Sequence, residues 1–136
     1  MTRFSYPSRP LILVVEDEPL VRDLNLDILQ EAGFRIIEAA DADQAFEILK
    51  RRPDVEVILT DVDMPGSING FEFARLVAQG WPEVKLLVVS GKMRPGSGDL
   101  PEDSVFLAKP YRAHELVAEL SRLTRRKAGT ELDSAS

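Results

Sequence analysis

The amino-acid sequence predicts an α/β fold built on a parallel sheet of five strands. The first indication is that strand-like and helix-like segments alternate five times along the 136 residues, which is typical of parallel sheets with helices on both faces. The second is that the strand-like segments are nearly continuous apolar runs, as expected for strands covered on both sides. A chain of this length suits one domain with a sizeable core.

Five short apolar runs, rich in β-branched residues, are the predicted strands. They are LILVV (11–15), FRII (34–37), VEVIL (55–59), VKLLVV (84–89) and VFLA (105–108). The first, third and fourth runs are the most hydrophobic, so we expect them at the centre of the sheet. Five such units fit a flavodoxin-like doubly wound sheet with strand order 2-1-3-4-5. In that order, ligands bind outside the carboxyl ends of strands 1 and 3, where the winding direction reverses.

Apolar residues at helical spacing predict the helices between these strands. After Pro19, one face carries Leu20, Val21, Leu24, Ile28 and Ala32, and Gly33 ends the helix. Asp41 is the predicted N-cap of the second helix. The third helix is predicted over 70–80, and the last begins near residue 113. A further helix is expected between the fourth and fifth strands, fourth in chain order and before the last one. It is predicted to be short or irregular, because residues 95–101 include two prolines and two glycines.

Composition and charge narrow the range of function classes. A net charge of −6 and a pI of about 4.8 argue against a nucleic-acid-binding module. The chain has no cysteine, which excludes disulfides and thiolate metal sites. With no apolar run approaching a membrane span and no signal-peptide core, we expect a cytoplasmic protein that does not bind membranes. We predict a flexible N-terminal arm (1–9), one folded domain (10–126) and a flexible C-terminal tail (127–136).

Polar side chains follow four of the predicted strands, at the edge where parallel strands of this order meet. They are Glu16 and Asp17 after the first strand, Asp61 and Asp63 after the third, Ser90 after the fourth and Lys109 after the fifth. Buried acids this close repel one another, and a cation relieves that repulsion. Oxygen ligands without histidine or cysteine favour Mg²⁺, and a lysine is a common partner of phosphate. Singly, each of these residues is more often a turn, a cap or a surface group.

Four motifs, VVEDEP, TDVDMPG, VVSGK and FLAKPY, occur in this order. Together they resemble the receiver domain of two-component response regulators, and the resemblance covers about residues 10–126. It implies that Asp61 is the phosphoacceptor, attacking a phosphohistidine to form an acyl phosphate. It also implies that Lys109 pairs with Asp61 and then with phosphoryl oxygens, and that Ser90 hydrogen-bonds a phosphoryl oxygen.

The same resemblance implies a magnesium site and a switch. Asp17 and Asp61 are implied as direct Mg²⁺ ligands, Glu16 as a ligand through water, and Asp63 as a ligand through its backbone carbonyl. Ser90 is an implied switch residue together with Phe106, three residues before Lys109. Finally, Asp63 and Lys92 stand where this family tunes the lifetime of the phosphorylated state. The chemistry agrees with these roles, since phosphoryl transfer needs mainly charge neutralisation and in-line positioning.

The leading hypothesis is therefore a stand-alone phosphoacceptor switch of a two-component phosphorelay. Its expected phosphoryl donor is a histidine kinase or a histidine phosphotransfer protein. Because residues after 126 are too few for an output domain, we expect output through contacts with a downstream protein. We expect a monomer or weak dimer, and a protein that catalyses its own phosphorylation and dephosphorylation without being a turnover enzyme.

Three alternatives stay open at this point. Asp61-Val62-Asp63 after an apolar strand also resembles the nucleophile motif of haloacid-dehalogenase-type phosphohydrolases, although that motif usually opens the chain. A degenerate receiver that acts only as a binding module is a second alternative. The chain is also compatible with a fragment of a longer protein, and the sequence does not choose between relaying phosphate and draining it.

Overall fold

Alternating strands and helices form the described part of the chain. The computed structural model describes residues 9–62, 70–91 and 100–135, with side chains described up to residue 124. The strands are β1 (Leu11–Val15), β2 (Arg35–Ala39), β3 (Val55–Asp61), β4 (Lys85–Ser90) and β5 (Val105–Ala108). The helices are α1 (Pro19–Glu31), α2 (Ala42–Arg51), α3 (Gly70–Gly80) and α4 (Ala113–Ala135). In the part that the structure describes, no helix is long and apolar enough to cross a membrane.

All five strands are parallel and lie in the order β2-β1-β3-β4-β5. This confirms the predicted doubly wound sheet, with the three most apolar strands at its centre. The register places Asp61 beside Val89 and Ser90 beside Ala108. The carboxyl ends of β3, β4 and β5 therefore meet at one edge, which is the edge where the polar residues were expected.

Each face of the sheet has its own apolar core because successive side chains of a strand point to opposite faces. On one face, Leu13 and Ile58 pack with residues of α2 and α3, among them Leu49 and Phe73. On the other face, residues of α1 and α4 cover the alternate positions of the strands. The principal members of that second cluster are Ile12, Val14, Leu29, Leu59, Leu87, Leu116 and Leu120. Burial of each side chain of this size stabilises the folded state by roughly 1.5–3 kcal/mol. The strands that carry the polar residues are therefore held firmly between the two cores.

The face that helix α1 turns to the sheet matches its apolar spacing only in part. Leu20 and Leu24 are 78% and 60% exposed, whereas Asn25 and Leu29 are buried. The prediction was wrong for Leu20 and Leu24, whereas Ile28 packs against the core as predicted. The buried Asn25 occupies an inward position that a count of apolar residues passes over. The predicted end of the helix is confirmed: Gly33 follows it with a φ of 97°, a conformation that glycine adopts without strain.

Two predicted segments fall partly outside the described residues. Between β4 and β5, the described residues 91 and 100–104 are not helical, and residues 92–99 lie outside the description. The predicted boundary at residue 126 falls inside α4, whose backbone continues to Ala135. The reason is that no proline follows Leu123, and Gly129 does not interrupt the helical backbone. The flexibility of 1–9 and 127–136 stays a prediction.

Gly70, the first residue of α3, packs against the backbone just after Asp61. A Cβ atom at this position would lie 2.3 Å from the Cα atom of Val62, so α3 or the strand end must shift. We expect Gly70→Ala to lower the free energy of unfolding by about 1–3 kcal/mol. The matched control is Gly80→Ala at the other end of α3, where no heavy atom lies within 4 Å. Urea unfolding of both variants checks this, and equal stability of the two would contradict it.

Candidate functional site

Four residues of the predicted site come together at the carboxyl edge of the sheet. Asp61 and Ser90 are the last residues of β3 and β4, and both are buried. Glu16 follows β1 directly and is also buried. Lys109 follows β5, and its backbone N–H donates to the carbonyl of Ser90 at 2.9 Å. The sheet register, rather than any flexible loop, thus fixes where these groups lie.

A short ion pair joins Lys109 to Asp61. The Lys109 Nζ atom donates to Oδ2 of Asp61 at 2.5 Å, and the Asp61 side chain is 5% exposed. Partial burial disfavours the charged ammonium, but its hydrogen bond to Asp61 and the charges of Asp61 and Glu16 more than offset this, and the pKa of Lys109 is raised. The lysine therefore stays protonated beside the carboxylate.

Glu16 is a second buried carboxyl group in contact with Asp61. Burial raises the pKa of Glu16 from its usual 4.5 to about 7, although a hydrogen bond from the Glu18 amide to Oε2 lowers it. The negative charge of Asp61 and a hydrogen bond with its carboxyl group add to the increase, while the Lys109 ammonium opposes it. Two carboxyl groups and one ammonium group thus share the crevice. The excess of negative charge favours binding of a further cation.

Of the other predicted site residues, the structure describes Asp17 and Phe106 but not Asp63 and Lys92. Asp17, next to Glu16, is half-buried. Phe106 lies beside Val88 on the β4–β5 pair and packs against the core on the α2–α3 face. Asp63 and Lys92 lie outside the described residues. Within the described side chains, no three histidine, aspartate or glutamate groups form a metal-binding cluster, so the four-residue magnesium site stays a prediction.

The structure also brings two side chains of α1 to the site that the sequence did not single out. Arg22 donates from Nη1 to the backbone carbonyl of Glu16 at 2.8 Å. The buried Asn25 hydrogen-bonds the hydroxyl group of Tyr111, two residues after Lys109. In the sequence, Arg22 and Asn25 look like ordinary polar residues of an amphipathic helix, so neither is distinguished as a site residue. Only a prediction of which face of α1 points inward could have identified them.

The raised pKa of Glu16 predicts a pH dependence of stability in the metal-free protein. A carboxyl group whose pKa is higher in the folded than in the unfolded state stabilises the fold fully at low pH. That stabilisation is lost as the pH rises from about 4.5 to about 7. We therefore expect Glu16→Gln to raise the free energy of unfolding by about 1–3 kcal/mol at about pH 8, and by much less at about pH 5.

Chemical denaturation in EDTA at both pH values checks this expectation. Added Mg²⁺ should stabilise the wild-type protein more than the Glu16→Gln variant, since the variant lacks one carboxylate. A useful control is Glu47→Gln, because Glu47 is an exposed residue of α2 paired with Lys50. If Glu16→Gln raised the free energy of unfolding equally at both pH values, the charged form of Glu16 would not be disfavoured in the folded protein, and the expectation would be wrong.

A family model for the response regulator receiver domain matches residues 12–121. The response regulator receiver protein CpdR of Brucella abortus is 30% identical over 116 residues, which cover 82% of this chain and 94% of that protein. The alkaline phosphatase synthesis transcriptional regulatory protein SphR of Synechococcus elongatus is 33% identical over 134 residues, covering 85% of this chain and 49% of SphR. The chain thus spans nearly all of one relative and about half of the other.

Solved structures agree with the sequence relatives. The response regulator protein TrrA from Thermotoga maritima, solved in complex with Mg(2+)-BeF, superposes with a TM-score of 0.73 at 26% identity, covering 84% of this chain and 98% of that chain. None of these similarities supports the phosphohydrolase alternative built on Asp61 and Asp63. The conclusion from the fold, the motifs and the family match is that this chain belongs to the response regulator receiver domains, the phosphoacceptor switches of two-component signalling.

Proposed function

We propose that Asp61 is the phosphoacceptor of this receiver domain and that Glu16, Asp17, Ser90 and Lys109 assist the transfer. The observation that carries this assignment is the buried Asp61 carboxylate, held at the end of β3 by the Lys109 ammonium at 2.5 Å. Asp61 is placed on a central strand between two packed cores. A nucleophile on such rigid support can meet phosphorus in line with the leaving group.

The transfer is a displacement at phosphorus. An oxygen of the Asp61 carboxylate forms the new bond to phosphorus, while the bond from phosphorus to the donor's imidazole nitrogen breaks and its electron pair stays on that nitrogen. Lys109 neutralises charge on the phosphoryl oxygens, and the Ser90 hydroxyl group donates to one of them. Later attack by water on phosphorus breaks its bond to the Asp61 oxygen, releases inorganic phosphate and restores the Asp61 carboxylate. The transition state needs charge neutralisation above all, which the ammonium group provides from the start.

The residues at this edge fit Mg²⁺. The buried Glu16 and Asp61 carboxyl groups are in contact. Burial and, to a smaller extent, the charge of Asp61 raise the pKa of Glu16, and a divalent cation would offset both effects. We propose Asp17 and Asp61 as direct ligands, Glu16 as a ligand through water, and the backbone carbonyl of Asp63 as a further ligand. When bound, the ion supplies positive charge to the phosphoryl oxygens. Oxygen-only ligation by few carboxylates is characteristic of Mg²⁺.

The proposed phosphoryl donor is a histidine kinase or a histidine phosphotransfer protein, and the proposed output is contact with a downstream protein. Phe106 and Ser90 are the proposed switch residues. Phe106 lies on β5, the edge strand of the sheet, and is half-buried, so its ring has room to change position when Ser90 engages a phosphoryl group. Phenylalanine has no hydroxyl group to hydrogen-bond. The ring positions in the unphosphorylated and phosphorylated states would therefore differ in energy through burial alone.

Incubation of the whole chain with acetyl phosphate and Mg²⁺ tests the proposal. Intact-protein mass spectrometry should show a single added phosphoryl group per chain, and EDTA should prevent its appearance. Removal of the donor should be followed by slow loss of the group without further turnover. A protein that stays unmodified with Mg²⁺ present, although folded by circular dichroism, would contradict the proposed function.

A further inference from the structure

We propose that Arg22 is a positioning residue for the phosphoacceptor site, holding the backbone at Glu16 so that the acidic side chains face the cation. The inference deepens the proposed function and rests on it. Arg22 does not touch the phosphoryl group in this account. It acts through the segment that joins β1 to α1, where Glu16 and Asp17 lie.

The Arg22 guanidinium group makes two directed contacts. Its Nη1 atom donates to the Glu16 carbonyl at 2.8 Å, and its Nε atom donates to Oε1 of Glu38 at 3.0 Å. The arginine side chain is only 19% exposed. Because the guanidinium group is planar and rigid, the contact with Glu38 on β2 sets the direction in which Nη1 points. The carbonyl of Glu16 is thereby linked to α1 and β2 at once.

The Glu16 backbone is held from both sides. Its N–H donates to the carbonyl of Ala39 at the end of β2, at 3.0 Å, and its carbonyl accepts from Arg22. That carbonyl lies in the peptide plane that joins Glu16 to Asp17. Holding it restricts the ψ of Glu16 and the φ of Asp17, which together set the relative directions of the two acidic side chains. Glu16 lies one residue beyond Val15, the last residue of β1 that pairs in the sheet. The bond from Arg22 therefore replaces a constraint that the sheet no longer provides.

A purely structural role for Arg22 is the competing explanation. Glu38 is half exposed, and an exposed ion pair of this kind contributes about 0–1 kcal/mol to stability. The ion pair alone is thus a weak reason for an arginine at this position. The contact with Glu16 is different. Substitution of residues that hydrogen-bond metal ligands and orient them typically weakens metal binding by about 10- to 100-fold. Metal affinity, measured apart from stability, separates the two explanations.

The test compares Mg²⁺ binding by isothermal titration calorimetry in four forms of the whole chain. Arg22→Met removes both contacts but keeps much of the apolar stem, and we expect about 10-fold weaker Mg²⁺ binding. Glu38→Gln keeps Arg22 and removes only the negative charge of the residue it pairs with. We expect the Mg²⁺ affinity to change by less than about threefold. Arg52→Met is the matched control. Arg52 forms an exposed ion pair with Asp54 before β3, at the opposite edge of the sheet.

Phosphorylation by acetyl phosphate adds a second readout. Arg22→Met should need about 10-fold more Mg²⁺ for half-maximal rate, while the rate at saturating Mg²⁺ stays within about threefold of wild type. Equal Mg²⁺ affinity in wild type and in folded Arg22→Met would overturn the inference. If Arg22→Met does not fold, Arg22→Lys serves instead, and unchanged affinity there also overturns it. A wild-type protein that binds no Mg²⁺ would instead refute the proposed function itself.

Discussion

Asp61→Asn is expected to abolish phosphorylation by acetyl phosphate, lowering the rate by at least about 10²-fold. An amide oxygen carries no negative charge and is a poor nucleophile toward phosphorus. The substitution keeps the shape of the side chain, which is buried at the end of β3, so the fold should remain intact. Phosphate-affinity electrophoresis should show the shifted band of the wild-type protein and none in the variant.

Asp54→Asn is the matched control for this loss. Asp54 is an exposed aspartate that pairs with Arg52, and it precedes the same strand whose end carries Asp61. Its substitution should leave the rate of phosphorylation unchanged. A shifted band of wild-type intensity in Asp61→Asn, with circular dichroism confirming the fold of both variants, would refute the assignment of the phosphoacceptor.

Lys109→Met is expected to reduce the rate of phosphorylation by about 10²-fold, since a positioned donor at the developing charge typically contributes this much. The substitution removes the cation from Asp61 and also from Glu16, whose pKa the ammonium lowers. The pKa of Glu16 should therefore rise further, and Mg²⁺ binding at neutral pH should weaken as well. Stopped-flow or quenched-time-course phosphorylation, together with Mg²⁺ titration, measures the two effects.

Lys109→Arg distinguishes charge from geometry. The guanidinium group keeps the charge but is larger and has fixed donor directions, and it must fit where Nζ now lies 2.5 Å from Asp61. We expect partial recovery of Mg²⁺ binding and little recovery of the rate. A wild-type rate in Lys109→Met would show that the ion pair serves only to hold Asp61 in the unphosphorylated protein.

The sheet and the cluster at its edge could be predicted from the sequence because both depend on simple rules. Continuous apolar runs identify β1, β3 and β4, and the right-handed crossover rule fixes where their ends meet. In this strand order Asp61, Ser90 and Lys109 must lie at one edge, and the structure confirms this juxtaposition. Topology thus determines a site whose members are far apart along the chain.

Side-chain surroundings could not be predicted in the same way. The inward face of α1 depends on how the whole helix packs on the sheet, and its apolar residues alone favoured Leu20 and Leu24 over the buried Asn25. The role of Arg22 depends on its contact with a carbonyl just beyond the paired residues of β1, which sequence spacing does not reveal. The pKa of Glu16 depends on burial beside Asp61, and burial is a property of the assembled fold.

Chemical mapping of the phosphorylated residue tests the central claim most directly. Borohydride reduces an aspartyl phosphate to homoserine, so the protein phosphorylated with acetyl phosphate and Mg²⁺ can be reduced, digested and sequenced by tandem mass spectrometry. The account predicts homoserine at position 61 and at no other aspartate, and none when EDTA is present. Homoserine at Asp17 or another aspartate, or a phosphoryl group retained on His114, the chain's one histidine, would contradict it.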